Sequence, residues 1–321
     1  MTGQEVLVTT PSFGQQSVRP WEALEREGLV ARRPRGAHPL AAADLLEEIG
    51  DAPAVIVGLD AVDATVLEGA PGLRVVAKHG VGVDNVDLVA AARAGVTVVN
   101  APGSNSGAVA DLALGAMLAL ARRLVPAHAS LTSGRWERFP GVELEGRTVA
   151  LVGFGRIGRQ VARRAAGFGT HVVAYDPYLP DEAFAEAGVR RVELDECVAV
   201  ADFLSLHLPA DPADGPVLDR ARLATMREGA YLVNAARGGL VDEDALVDLL
   251  EAGHLAGAAL DAFAEEPPRP GSRVLTAPNV LLTPHIGAHS DLANAAMGTT
   301  VVADVARVLR GEDPLHPVAA G

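Results

Sequence analysis

The stretch RTVALVGFGRIGRQVARRAAGFGTHVVAYD, Arg147 to Asp176, constrains this chain more than any other. An apolar run, Thr148 to Val152, enters a turn carrying Gly153, Gly155 and Gly158. Helical spacing follows at Ile157, Val161, Ala165 and Phe168, and a second apolar run closes on Asp176. The order strand, glycine turn, helix, strand, acid is that of a dinucleotide site, and each part has a physical reason. Gly153 permits the tight turn, Gly155 lets backbone approach a pyrophosphate, and Gly158 lets helix and strand pack closely. The helix N-terminus adds N–H groups and partial positive charge. Asp176, about 20 residues on, is placed to accept hydrogen bonds from the adenosine ribose. A carboxylate there, followed by Pro177 and Tyr178 without Arg or Lys, repels a 2′-phosphate, so NAD rather than NADP is expected. Alone the glycines could be a loop of some other α/β domain; the flanking strand, helix and acid favour the dinucleotide.

With 321 residues the chain has room for two domains, each with its own core. Its 49% hydrophobic and 21% charged residues are far from the composition of a disordered chain. The net charge is −14, and basic residues gather only at Arg32, Arg33, Arg35 and at Arg163, Arg164. Nucleic acid and anionic membranes are therefore not expected as partners. The single cysteine, Cys197, excludes an internal disulfide and a multi-cysteine metal site, and fits a reducing compartment. It reads as a small residue in a helix. The start, MTGQEVLVTTPSFG, lacks the basic and apolar regions of a signal peptide. The longest apolar segment, Ala108 to Ala121, is too short to span a bilayer and carries Asp111, so it reads as a buried helix. A cytoplasmic location is the expectation.

Hydrophobic periodicity predicts strands at Val6 to Thr9, Ala54 to Val57, Val75 to Lys78 and Val96 to Val99. Helices are predicted near Trp21 to Glu27, Ala41 to Ile49 and Asp87 to Ala94, with Leu29 to Ala31 ambiguous. Turn formers in NAPGSNSG, Asn100 to Gly107, mark a change of regime. Past Asp176 the alternation continues through strands at Ala201 to Leu206, Ala230 to Asn234, Gly257 to Phe263 and Val280 to Leu282. Helices at Asp219 to Met226 and Asp242 to Ala252 separate them. This α/β alternation argues for parallel, doubly wound sheets in two Rossmann-like domains. The last helix, about Asp291 to Leu309, has no partner left in the second sheet. It is expected to return to the first domain, giving a discontinuous unit of residues 1–101 and 288–321 around an NAD-binding domain of residues 102–287.

Ligands in open parallel sheets bind beyond the C-terminal strand ends, and three polar residues stand there. Arg237 follows YLVNAA, Glu266 follows GAALDAF, and His285 follows VLLTP. Hydride transfer between a 2-hydroxy acid and nicotinamide is the chemistry they fit. A guanidinium binds a carboxylate bidentately and polarises the adjacent carbonyl. An imidazole near its intrinsic pKa exchanges the hydroxyl proton, and a neighbouring carboxylate favours its charged form. Each residue alone admits another reading: a surface cation, a loop acid, an edge histidine.

The chain resembles the D-isomer-specific 2-hydroxyacid dehydrogenases, and among them the phosphoglycerate dehydrogenase-like group. The segments that carry the resemblance are GVGVDNVD (Gly80 to Asp87), NAPGSNS (Asn100 to Ser106), GRWER (Gly134 to Arg138), GFGRIG and DPY (Asp176 to Tyr178). NAARGGLVDEDAL (Asn234 to Leu246), GAALDAFAEEPP (Gly257 to Pro268) and LLTPHIGA (Leu281 to Ala288) complete them. The resemblance implies a flavodoxin-like substrate domain, NAD as cofactor, and Arg237, Glu266 and His285 as the catalytic residues. It implies a cofactor lining of Val81, Val109, Arg156, Ile157, Asp176, His207, Pro209, Ala235, Ala236, Arg237, Asp261, His285 and Gly287, with Asp261 on the nicotinamide amide. The substrate carboxylate is implied against the loop Lys78 to Gly82, that is Lys78, Gly80, Val81 and Gly82, with Arg237 and His285. A homodimer joined through the helices of Ser106 to Arg123 is implied as well. HLPADPADG (His207 to Gly215), Asp111 and Ala262 depart from the usual pattern, the first leaving adenosine-side contacts open. The ending LRGEDPLHPVAAG leads to the expectation that the serine-responsive regulatory domain of longer members is absent.

The expected activity is an NAD-dependent oxidoreductase on a small D-2-hydroxy or 2-oxo acid, with a phosphate or phosphonate tail as one option. A glyoxylate or hydroxypyruvate reductase is an alternative. An NADH-binding corepressor-like protein is a third, of another class. Lys78 and His79 either read the substrate tail or point into solvent, leaving the tail to a loop such as Ser12 to Gln15.

Overall fold

The computed structural model describes residues 3–36, 38–210 and 214–319, so Asp211, Pro212 and Ala213 of the divergent 207–215 stretch lie outside the described residues. The chain divides into two units, Met1–Ala108 with Ala288–Gly321, and Val109–Gly287. In order, the first half runs β1 (Gln4–Val8), α1 (Arg19–Arg26), β2 (Leu29–Arg32), α2 (Ala42–Ile49), β3 (Ala54–Val57), α3 (Ala64–Gly69), β4 (Val75–Lys78), α4 (Leu88–Ala94), β5 (Thr97–Val99) and α5 (Ser106–Ala121). There follow α6 (Leu124–Thr132), β6 (Thr148–Val152), α7 (Arg156–Ala166), β7 (His171–Tyr175), α8 (Asp181–Ala185), β8 (Arg190–Arg191), α9 (Leu194–Val200) and β9 (Phe203–Leu206). The chain ends with α10 (Arg220–Leu223), β10 (Tyr231–Asn234), α11 (Glu243–Glu251), β11 (Gly257–Leu260), β12 (Val280–Leu282) and α12 (Asp291–Arg310). The unit boundary falls inside α5 rather than ahead of it at residue 102.

The first unit holds a parallel sheet in the order β2-β1-β3-β4-β5, the flavodoxin-like order. Its central strands AVIV and VVAK are buried along their whole length, as strands covered by helices on both faces must be. The helix α12 covers one face: Ala293, Met297, Val301 and Val305 are buried with Val6, Val8, Ile56 and Val75. Gly298 stands at its crossing with α1, where an added Cβ would lie 2.5 Å from Pro20. By length and hydropathy α12 could cross a membrane, but 67% of its apolar window is buried inside the protein. Fully buried Asp304 ties this helix to the C-terminal segment, accepting from Leu315 N at 2.6 Å and pairing with His316 Nδ1 at 2.8 Å.

The second unit holds a seven-stranded parallel sheet in the order β12-β11-β10-β9-β6-β7-β8. Counted from its own first strand this is the dinucleotide-binding order with one more strand at the edge, and the order reverses between β6 and β9. Two departures from the sequence reading have local causes. Asp87, Asp219 and Asp242 cap their helices through Ala90 N, Arg222 N and Ala245 N instead of opening them as helical residues. The strand expected to reach Phe263 stops at Leu260, and the Phe263 amide is instead donated to the Glu266 carboxylate at 3.0 Å. The short elements α3, α8 and β8 carry too few periodic residues to be read from sequence, while Cys197 lies in the helix α9, buried, as expected. Leu124, Val125 and Leu131 are exposed on α6.

Val301 is fully buried between α12 and the first sheet. Val301→Ala should lower stability by about 2 kcal/mol, read as a lower urea midpoint at unchanged slope. A midpoint equal to wild type would show that α12 does not close this core.

Candidate active site

The turn after β6 meets the steric demands expected of a dinucleotide cradle. Gly153 has φ +101°, and a Cβ on it would sit 2.6 Å from the His207 carbonyl carbon. A Cβ on Gly158 would meet the Gly153 carbonyl oxygen at 2.2 Å, so β6 and α7 touch through main chain alone. Gly155 differs, because nothing lies within 4 Å of its Cβ position. Space is kept open there, at the first turn of an 11-residue helix whose N-cap makes no side-chain bond. A pyrophosphate fits these features: open backbone, helix dipole and N–H groups at one point. Arg156 and Ile157 are the first two residues of that helix.

Asp176 is buried at the end of β7, where Oδ2 accepts from Phe154 N at 2.8 Å and Oδ1 from Tyr178 N at 3.0 Å. Each oxygen retains a further lone pair, so the carboxylate braces the glycine turn and can still receive a hydroxyl. On the other side of the switch point, His207 Nε2 lies 2.9 Å from Ser205 Oγ, and burial pushes its pKa down to about 4. Its Nδ1 is buried without a partner among the described residues. Pro209 follows, exposed, two residues on.

At the ends of β10, β11 and β12 the loops are cross-tied. Asn234 accepts from Ala236 N at 3.1 Å and donates to Arg237 O at 2.8 Å, folding Ala235 to Arg237 into a fixed turn. The Arg237 guanidinium donates to Ala236 O at 2.8 Å. Asp261 takes three donors, Thr283 Oγ1 at 2.6 Å, Ile286 N at 2.8 Å and Gly287 N at 2.7 Å, and so shapes the turn that presents His285. Within that turn His285 has φ +52°, an uncommon conformation for a non-glycine residue, held by its surroundings. A Cβ on Gly287 would come within 3.4 Å of Val109 Cγ2 and 3.0 Å of Asp261 Oδ2, which places Val109 beside this turn. A cavity of about 230 Å³ lies along the same edge, lined by Asp111, Gly115 and Ala116 of α5 and by Asn234, Asp261 and Thr283.

His285 Nδ1 lies 2.7 Å from Glu266 Oε2, with the two side chains 41% and 34% exposed. The hydrogen bond to Glu266 raises the imidazole pKa above its ordinary value; partial burial and Arg237 oppose this, while the Glu266 and Asp261 charges add to it. For Glu266, burial pushes the carboxyl up, but the bonds from His285 and Phe263 N outweigh it and leave the pKa low. Arg237 acts electrostatically on both partners, so the three residues form one charged group.

The remaining expected substrate residues belong to the first unit. Lys78 is buried at the end of β4, and its ammonium donates to Gly58 O at 2.5 Å and Asn85 Oδ1 at 2.6 Å. It does not point into solvent. The turn Gly80 to Gly82 is braced by Asn100, which donates to Val81 O at 2.6 Å, and by Ala101 N on Gly80 O at 2.9 Å. His79 is buried against Phe13, with Nδ1 3.2 Å from Ser12 Oγ, and burial holds its pKa at about 4. Sequence reasoning missed Asn234, Thr283 and Glu243, whose only signal was a polar residue beside a strand end or helix start.

Residues 114–287 match the family model described as D-isomer specific 2-hydroxyacid dehydrogenase, NAD binding domain. The chain belongs to the D-isomer specific 2-hydroxyacid dehydrogenases. NAD is the cofactor of this domain. Within the family it is 45% identical over 273 residues to the D-3-phosphoglycerate dehydrogenase of Methanocaldococcus jannaschii, 84% of this chain and 52% of that protein. The chain thus spans about half the length of the curated relatives it matches. Among solved structures it is similar to TT0316 protein from Thermus thermophilus, with TM-score 0.87, 38% identity, and 98% and 100% of the two chains covered. Another is the NADPH-dependent glyoxylate/hydroxypyruvate reductase of Sinorhizobium meliloti, in complex with NADP and malonate, with TM-score 0.83, 32% identity, and 98% and 97% covered.

Replacing Glu266 by Gln removes the counter-charge of the His285 imidazole, so the His285 pKa should fall. Histidine NMR titration reads the shift; an unchanged midpoint would dissolve the pair.

Proposed function

We propose that this chain is an NAD-dependent dehydrogenase of a small D-2-hydroxy acid or the corresponding 2-oxo acid. The observation that carries the reading is the 2.7 Å pair of His285 with Glu266, within the electrostatic reach of Arg237 and at the same strand edge as the glycine cradle. Bound NAD supplies the acceptor or donor of the hydride at carbon 2 of the acid. The glycine turn, the start of α7 and Asp176 hold that cofactor, with Asp261, Ala235 and Val109 toward its nicotinamide end. Arg237 binds the carboxylate of the 2-oxo acid and polarises its carbonyl. His285, protonated by virtue of Glu266, gives its Nε2 proton to the oxygen as reduction proceeds, and as a neutral imidazole takes the proton back in oxidation.

The pH dependence follows with its sign. Reduction needs the imidazolium, so its rate falls as pH rises through the raised His285 pKa; oxidation needs neutral imidazole and rises through the same value. His285→Ala should lower turnover about 10²–10⁴-fold while NADH still binds. A variant with near-normal turnover would remove the proposed proton carrier. A glyoxylate or hydroxypyruvate reductase uses the same residues, so a panel of 2-oxo acids with NADH separates these substrates. Since the Lys78 amine is engaged by Gly58 and Asn85, we assign it no role in reading the tail.

For cofactor choice, Asp176 repels a 2′-phosphate carrying one to two negative charges. We expect NADH to be preferred over NADPH by about tenfold or more, and Asp176→Asn to narrow the gap. Equal use of both by the unaltered protein would overturn the ribose assignment, and the NADPH-dependent reductase from Sinorhizobium meliloti makes that comparison a real test.

A further inference from the structure

The stretch Asn234 to Leu246 holds more than Arg237. After Arg237 come a 3-10 turn, Gly238–Leu240, and then Asp242, whose side chain caps α11. Glu243, the first residue of α11, does not fold back onto its own helix. Its Oε1 reaches the loop after β11 and accepts from Ala264 N at 2.6 Å. The preceding amide, Phe263 N, goes to Glu266 Oε1 at 3.0 Å. Two successive amides are thus taken by two carboxylates, one from the loop itself and one from a neighbouring helix. Gly238 presses on the same two residues: a Cβ there would lie 1.8 Å from the Phe263 carbonyl carbon and 2.2 Å from Ala264 N. Residues 263–264 are gripped from both ends of the short segment that begins at Arg237.

Keeping a charge in this place is unfavourable in itself. Burial raises the Glu243 pKa, and the like charges of Asp244 and Glu266 add to it; only the Ala264 bond opposes. Ala264 is exposed, so water could satisfy its amide without Glu243. What water could not do is fix the loop. We propose that Glu243 is a positioning residue for the Glu266–His285 pair, holding the Phe263 to Glu266 loop at the length where the carboxylate meets the imidazole. The charged groups involved are few: Glu266 faces His285, Arg237 and Glu243, while His285 faces Glu266, Asp261 and Arg237.

A competing role is ordinary helix-start charge, since an acid in the first turn of α11 favours the helix dipole. Two variants separate the roles in opposite directions. Glu243→Asp keeps the charge at the helix start but is one methylene too short to reach Ala264; Glu243→Gln keeps an oxygen at the right length and loses the charge. Both are tested in the whole chain, with thermal unfolding and NADH binding by fluorescence as checks of folding. Positioning requires that E243D lower the His285 NMR titration midpoint by about half a unit or more, and that E243Q leave it near wild type. The upper limit of the pH profile for 2-oxo acid reduction should move down with the E243D midpoint, with turnover reduced about tenfold. The proposal is overturned if E243D titrates as wild type, or if E243Q shifts the midpoint as far as E243D. The kinetic arm rests on the reading of His285 as proton donor, and the titration arm does not. A shifted midpoint with unaltered turnover would therefore sink that reading and leave the positioning role standing.

Discussion

Contact of main chain with main chain, with no room for a Cβ, is what the second unit depends on. At Gly153 and Gly158 it brings β6, α7 and the His207 segment together around the point where the strand order reverses. At Gly238 it brings the loop after β10 against the loop after β11. Neither contact tolerates a side chain, because the opposing atoms are backbone and cannot rotate away. Gly155 is the informative contrast, since nothing lies within 4 Å of the position a Cβ would take there. A glycine is needed there only if something from outside the protein comes close.

The histidines show why the proposed proton carrier needs its partner. His79 and His207 are both held near pKa 4 by burial, and their charged neighbours, where present, do not rescue the imidazolium. His285 is also partly buried, and burial pulls its pKa down too. The difference is chiefly the Glu266 carboxylate at 2.7 Å, which with the Asp261 charge more than reverses the desolvation. The same bond, together with that from Phe263 N, holds the Glu266 pKa low against its own burial. Proton affinity at this site is therefore a property of the pair, and of the loops that set the distance between its members.

Much of this was legible in the sequence because it rests on patterns that act locally. The glycine turn with its strand, helix and acid, the apolar strands buried on both faces, and the return of α12 to the first sheet all follow from periodicity and from counting partners. Arg237, Glu266 and His285 could be singled out because strand ends are where parallel sheets present polar groups. The reading ran short where a side chain works on distant backbone. Lys78 was expected either to read a substrate tail or to point into solvent, yet it is buried and donates to Gly58 and Asn85, which sequence spacing does not bring together. Asp176 and Asp261 were read only as acceptors for a cofactor, yet each first shapes a protein loop with its own hydrogen bonds.

That double use has a consequence for how the site is built. A carboxylate has about four lone-pair positions, and two or three protein donors fix its direction while leaving a place for one more. Asp176 and Asp261 both meet that condition, with two and three donors respectively. A ligand hydroxyl or amide arriving there finds an acceptor already aimed and already desolvated, so little ordering remains to be done on binding. The loops gain rigidity from the same atoms. Replacing either acid would then alter two things at once, the contact and the loop that presents it, which is why charge-only changes such as Asp to Asn separate recognition from architecture more cleanly than truncation to Ala.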